Sequence, residues 1–196
     1  MILTDTILKE RISEMFDFNK SENVTEAEIL TQINPNSIDL TIGKEYMRPN
    51  AINNPVVYGF SCAEERKLYD LAYWTRYAAD DGYVLLKPND IILGVTREYV
   101  TMPDDVSGQL FTKSTMGRMF INHMMAGLVD AGFHGRLTLE LKNDSIHTIR
   151  IPVGAPVVQM TCFGLNPTPD QPYGDKARNS RYMYAETVES AKWKEK

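Results

Sequence analysis

The sequence predicts a mainly β fold, on three observations. From Tyr83 onward, short apolar and β-branched runs are separated by turn-forming clusters, a spacing that favours a sandwich or barrel over an α/β sheet. Arg136 to Asn143 alternates strictly, with Leu137, Leu139 and Leu141 on one face and Arg136, Thr138, Glu140 and Lys142 on the other. Ile38, Leu40 and Ile42 alternate in the same way with Asp39 and Thr41, the period of a half-buried strand.

The elements follow in order. Ile7, Leu8, Ile12 and Met15 recur at helical spacing behind Thr4 and Asp5, so residues 5 to 16 read as a short amphipathic helix. A polar stretch leads to the strand that ends at Gly43. Residues 58 to 83 carry Tyr58, Phe60, Tyr69, Tyr73, Trp74, Tyr77 and Tyr83. They read as an aromatic-rich insertion packed on the main body, with room for a helix from about Glu64 to Ala79; a partner-binding surface is the other reading. Lys87-Pro-Asn-Asp90 is a turn, because Pro fixes φ and Asn and Asp support local hydrogen bonds. Ile91 to Met102, Val106 to Thr112, Arg136 to Asn143 and Val157 to Phe163 read as strands, with turns at Asp130 to Gly135 and Pro152 to Pro156. Beyond Phe163, Pro167, Pro169, Pro172 and Gly174 predict a tail that is extended and mobile until something orders it.

Composition bounds the function. With 196 residues, 43% hydrophobic and 24% charged, the chain is long enough for one domain with a core of its own. Cys62 and Cys162 stand a hundred positions apart, which makes neither a disulfide framework nor a metal site and points to a reducing cytoplasm. No run of about 18 apolar residues occurs, so no membrane span is expected. The first residues, MILTDTILKERISE, are charged and periodic rather than signal-like. A net charge of -5, from 21 Lys+Arg against 26 Asp+Glu, argues against a general nucleic-acid binder but not against a small phosphorylated ligand.

Several chemistries are excluded by motif. The chain lacks the H-x-E and P-C-x-x-C elements of a zinc nucleobase deaminase. His123, His134 and His147 are spaced too widely for a helix-borne zinc pair and read as surface or turn residues. There is no G-x-x-x-x-G-K-[ST] phosphate loop and no G-x-S-x-G elbow. Catalysis must then run on carboxylates, hydroxyls and cations. Two features offer them. Glu140 is held on the clearest strand, away from the leucine face, where periodicity alone reads as a solvated sheet face. Lys113-Ser-Thr-Met-Gly-Arg118 gathers two hydroxyls and two cations behind an apolar strand, and if it turns helical it sets Ser114 and Arg118 at i and i+4. Such a strand-to-helix turn suits an anionic phosphate.

Taken in order, INPNSIDLTIG, LKPNDIILGVTREYVTMPDD, GQLFTKSTMGRM, AGLVDAGFHGRLTLELKN and IPVGAPVVQMTCF resemble the dCTP deaminase branch of the dUTPase-like superfamily. The resemblance covers roughly residues 1 to 50 and 83 to 185. It implies a dUTPase-like distorted β-barrel, a β-clip, with a short N-terminal helix, built as a homotrimer with sites between subunits. The chain would then be a single such domain with the insertion at about 58 to 83 and a nucleotide-closing flap at about 165 to 196. Ala126, Gly127 and Asp130 match the superfamily's Ala-Gly-x-x-Asp turn. Phe133 stands where simple dUTPases place a Tyr, and Glu140 occupies a Thr-Leu-Glu-Leu strand that those enzymes lack.

By that resemblance Glu140 is the acid/base residue, with Ser114 and Arg118 as its serine and arginine partners. Lys113, Ser114 and Thr115 contact phosphates, and Asp130, Phe133, Gln159, Tyr173 and Arg181 join the nucleotide site. The implied reaction is zinc-independent hydrolysis of dCTP to dUTP and ammonia, with Mg2+ held by the triphosphate and dTTP as a regulator. Departures are Ala131 for a usual Pro, Met125 where Thr is common, which tells against dTTP feedback, Arg181 for a common Lys, and Ala185 for a flap Gln. Two other functions fit the same residues. One is a bifunctional enzyme that also forms dUMP and pyrophosphate, with Asp130 activating the second water. The other is a nucleotide-sensing or protein-binding module.

Overall fold

Leu8, Ile12 and Met15 come onto one side of helix α1 (Asp5–Met15) and are buried, as their spacing predicts. The computed structural model describes residues 1–50, 74–123 and 126–192. A second helix, α2 (Glu26–Gln32), lies in the stretch read only as polar. Its start is capped by Thr25, whose side chain accepts from the Glu28 N–H, and Glu26 and Glu28 sit in the first turn where the helix dipole favours them. Sequence reasoning passed over that local signature.

Eleven strands follow among the described residues: β1 (Ile33–Asn34), β2 (Ser37–Pro49), β3 (Trp74–Ala78), β4 (Tyr83–Leu86), β5 (Ile91–Thr101), β6 (Val106–Thr112), β7 (Ile121–His123), β8 (Leu128–Val129), β9 (His134–Asn143), β10 (Ile149–Pro152) and β11 (Pro156–Gly164). A five-residue helix, α3 (Ser114–Arg118), interrupts them after β6. Nine strands form one curled sheet in the order β7-β9-β5-β2-β11-β6-β8, with β1 and β3 also pairing with β2; β4 and β10 form a separate antiparallel pair. The fold is mainly β, as the sequence predicts. No helix among the described residues is long and apolar enough to cross a membrane.

Two expectations change. Trp74–Ala78 is a strand paired with β2, not the end of a helix; Tyr77 stacks on Tyr46 with ring centroids 5.5 Å apart. Aromatic and β-branched residues such as Trp74, Thr75 and Tyr77 fit a pleated surface as well as a helix face, and a sheet edge was available to them. Residues 64 to 73 of that expected helix lie outside the described residues. The strand around Asp39 is buried on both faces, because residues 37 to 43 of β2 run through the middle of the sheet between β5 and β11. Burying Thr41 requires a partner, and Glu98 of β5 supplies it, accepting from the Thr41 N–H at 3.0 Å and from its hydroxyl at 2.7 Å.

The tail is ordered by the body of the molecule over residues 184 to 190. The Tyr184 N–H donates to the His134 carbonyl at 2.7 Å, and the Arg136 N–H donates to the Ala185 carbonyl at 2.7 Å. The Glu189 N–H donates to Thr138 Oγ1 at 3.2 Å. Val188 is buried against Met47, Leu93 and Val95. The segment therefore lies along the first half of β9, while β7 pairs with residues 141 to 143 of the same strand.

Candidate functional site

Glu140 stands on β9 between the part covered by the tail and the part paired with β7. Its side chain is 31% exposed, so the polar face of this strand is no solvated surface: Arg136 is buried and Thr138 and Lys142 are half-buried. The Glu140 carboxyl opens into a cavity of about 570 Å³ whose apolar wall includes Leu110, Leu128, Phe133 and Leu137. Burial pushes its pKa above the ordinary carboxylate value, and the Ala126 backbone N–H partly opposes that shift. A carboxyl moved toward neutrality inside an apolar cleft suits proton transfer.

A second cavity of about 790 Å³ adjoins the first. Ala126, Leu128, Val129, Phe133, Leu137 and Tyr182 line both. Asp130, Tyr173 and Arg181 line the second. The turn behind Asp130 is tight: Gly132 has φ +80°, the Phe133 N–H donates to the Asp130 carbonyl at 3.1 Å, and the Tyr173 N–H donates to the Ala131 carbonyl at 2.7 Å. Phe133 and Tyr173 pack with ring centroids 5.8 Å apart, and the Tyr173 hydroxyl accepts from the Tyr182 N–H at 3.0 Å. Glu140, Phe133 and Asp130 from one stretch of the sequence, and Tyr173 and Arg181 from another, are thus gathered around one composite cleft.

The Lys-Ser-Thr turn is not part of that cleft. Ser114, Thr115 and Arg118 are exposed on α3, and neither they nor Lys113 and Gln159 line either cavity. The turn has the expected strand-to-helix form, which does set Ser114 and Arg118 one helical turn apart. Lys113 forms an ion pair with Asp39. Gln159 lies opposite both Asp39 of β2 and Phe111 of β6, so the three share a row of the sheet. Phe111 and Phe120, on either side of α3, are 45% and 65% exposed. Arg181 donates through Nη1 to the Lys192 carbonyl at 3.1 Å. Met125 lies outside the described residues.

One member of the site was misread. His123 is not a surface or turn histidine: its side chain is 3% exposed and its Nε2 lies 3.9 Å from Oε2 of Glu140. Spacing between histidines could not reveal this, because the contact depends on β7 pairing across β9. His134 is half-buried, and His147 is exposed. Among the described residues no group of three or more His, Cys, Asp or Glu side chains is arranged to hold a metal ion.

Comparison with known proteins gives a consistent family. A model described as dCTP deaminase-like matches residues 2–165. The "dCTP deaminase, dUMP-forming" of Methanobrevibacter smithii is 32% identical over 98% of this chain and 95% of its own length. The "dCTP deaminase" of Haloarcula marismortui is 34% identical over 78% of this chain and 76% of its own. The crystal structure of 2'-deoxycytidine 5'-triphosphate deaminase from Agrobacterium tumefaciens superposes with a TM-score of 0.61 at 22% identity. That match covers 82% of this chain and 47% of the other, so this chain spans about half of that one, and the likeness concerns the fold.

Proposed function

Because this chain belongs to the dCTP deaminase-like family, we propose that it hydrolyses dCTP to dUTP and ammonia, supplying dUTP and then dUMP for thymidylate synthesis. The observation that carries this reading is Glu140, a carboxyl raised by burial and opening into a largely apolar cavity. Water attacks C4 of cytosine while Glu140 takes one of its protons and passes it to N3. Glu140 then moves the proton of the new C4 hydroxyl to the amino group. The C4–N bond breaks, ammonia leaves, and the water oxygen stays as O4. One carboxylate serves both transfers, each within reach of the same carbon.

The remaining residues bind and orient. Phe133 and Leu137 wall the cavity against bulk water. Ser114 orients the water or the pyrimidine, and Arg118 steadies charge around it as a fixed cation. Lys113, Ser114, Thr115, Gln159, Tyr173 and Arg181 take the triphosphate and sugar. Since the α3 residues are exposed and line neither cavity, we infer that they act in the cleft of a neighbouring copy within a homotrimer, with Phe111 and Phe120 covered by assembly. Mg2+ accompanies the triphosphate as part of the substrate, which asks for no cluster of protein carboxylates.

Asp130 favours a second reading. It lines the cavity beside that of Glu140, and the relative from Methanobrevibacter smithii is named for forming dUMP. In that case Asp130 activates a second water, giving dUMP and pyrophosphate. Incubation with Mg2+ and either dCTP or dUTP, followed by quantification of ammonia, pyrophosphate and nucleotides, separates the possibilities. Ammonia and dUTP from dCTP support the deaminase; ammonia with dUMP and pyrophosphate supports the bifunctional enzyme; no turnover leaves a nucleotide-sensing module.

A further inference from the structure

His123 Nε2 and Glu140 Oε2 are both buried and have no hydrogen-bond partner within range among the described residues. They face each other at 3.9 Å, about 1 Å beyond hydrogen-bond length. Buried polar atoms without partners are rare in folded proteins, and two that face one another have a shared explanation. His123 is fixed from behind: its backbone N–H donates to Thr112 Oγ1 at 2.9 Å, and β7 pairs it with Leu141, the residue after Glu140. Closing the gap takes a rotation of the Glu140 carboxylate, the less buried of the two groups at 31% exposed against 3%.

We propose that His123 is a positioning residue for Glu140, donating from a neutral imidazole Nε2–H to Oε2 so that the other carboxylate oxygen faces the attacking water. This rests on the deaminase reading for its purpose, but the contact itself does not. The imidazole gains and loses no proton in the cycle. Burial pushes His123 below its ordinary pKa, in keeping with a neutral ring. The charged groups nearby are engaged elsewhere: Arg136 with Glu22, Lys142 with Asp144, and Glu189 with Lys192. Among the described residues of the same copy, none of these three supplies a competing counter-charge to the carboxylate. A neutral donor is therefore what distinguishes Oε2 from an oxygen stranded in an apolar wall.

The test has two arms. Nitrogen-15 NMR of the histidine-labelled full chain, in wild type and Glu140→Ala, reads which ring nitrogen of His123 carries the proton. The expected result is the Nε2–H tautomer, with an Nε2 shift that moves in Glu140→Ala; an Nδ1–H tautomer, or a shift indifferent to residue 140, overturns the proposal. Kinetics on dCTP give the second arm. His123→Phe is expected to lower kcat about 10- to 100-fold with little change in KM, to move the acidic limb to higher pH, and to be partly rescued by His123→Gln. An unchanged kcat and pH profile overturns the proposal. If wild type releases no ammonia, the deaminase reading fails while the NMR arm still decides the contact.

Discussion

Lys113, the residue that opens α3, forms an ion pair with Asp39 of β2. Two segments that look unrelated in sequence, Ser37 to Leu40 and Lys113 to Arg118, are therefore one structural unit. Asp39 is steadied further by Asn34, whose Nδ2 donates to it at 3.0 Å. The carboxylate is 12% exposed and the ammonium 23%, so removing the cation strands a largely buried anion. Lys113→Met should lower stability by about 1–3 kcal/mol, read from urea unfolding. Asp39→Asn with Lys113→Met together should cost less than the sum of the single changes.

Glu98 predicts a dependence on pH. It is fully buried, and burial raises its pKa above the ordinary carboxyl value of 4.5 against the opposing hydrogen bonds from Thr41. The folded state then binds this proton more tightly than the unfolded chain. Its stabilising contribution is complete below 4.5 and is lost as pH rises through the raised folded value. Glu98→Gln removes that loss. The stability difference, variant minus wild type, should grow as pH rises from 4 to the point where Glu98 is ionised, measured as the shift in thermal midpoint across buffers.

The turn behind Asp130 depends on one glycine. Gly132 has φ +80°, and a Cβ there would lie 2.7 Å from the Tyr173 carbonyl oxygen and 2.8 Å from Pro172 Cβ. Gly132→Ala should cost about 1–3 kcal/mol for the backbone conformation and push Tyr173 from Phe133. Thermal unfolding checks the first effect, and weakened binding of a non-hydrolysable dCTP analogue checks the second.

Much of the sheet was legible because alternation and turn chemistry are local. β6, β9 and β11 lie where the patterns of Val106 to Thr112, Arg136 to Asn143 and Val157 to Phe163 put them. What escaped depends on contacts between distant segments. β3 became a strand because the edge of β2 was open to it. His123 entered the site through pairing of β7 with β9, and Val188 anchored the tail through a cluster with Met47, Leu93 and Val95. Glu140 was legible as a position on a strand; most of the apolar wall that makes its carboxyl useful comes from other segments, β5, β6, β8 and the tail among them.

Arg136 ties the tail to the body. Its Nε donates to the Thr96 carbonyl at 2.6 Å, Nη1 to the Glu186 carbonyl at 3.1 Å and Nη2 to Glu22 Oε2 at 2.6 Å. Arg136→Leu leaves Glu22 and two carbonyls without their donor, so a loss of about 3–5 kcal/mol is expected. Hydrogen exchange should quicken at residues 184 to 190 more than in β11, which takes none of these hydrogen bonds.

Activation of the water by Glu140 is tested most directly by one comparison. Wild type and Glu140→Gln are incubated with dCTP and Mg2+, and ammonia is quantified across pH. The wild-type rate should fall as pH drops through a value above the ordinary carboxylate range, because the base must be ionised and burial raises its pKa. Glu140→Gln should still bind the nucleotide and release ammonia at least about 100-fold more slowly. Ammonia release by Glu140→Gln near the wild-type rate would contradict the assignment.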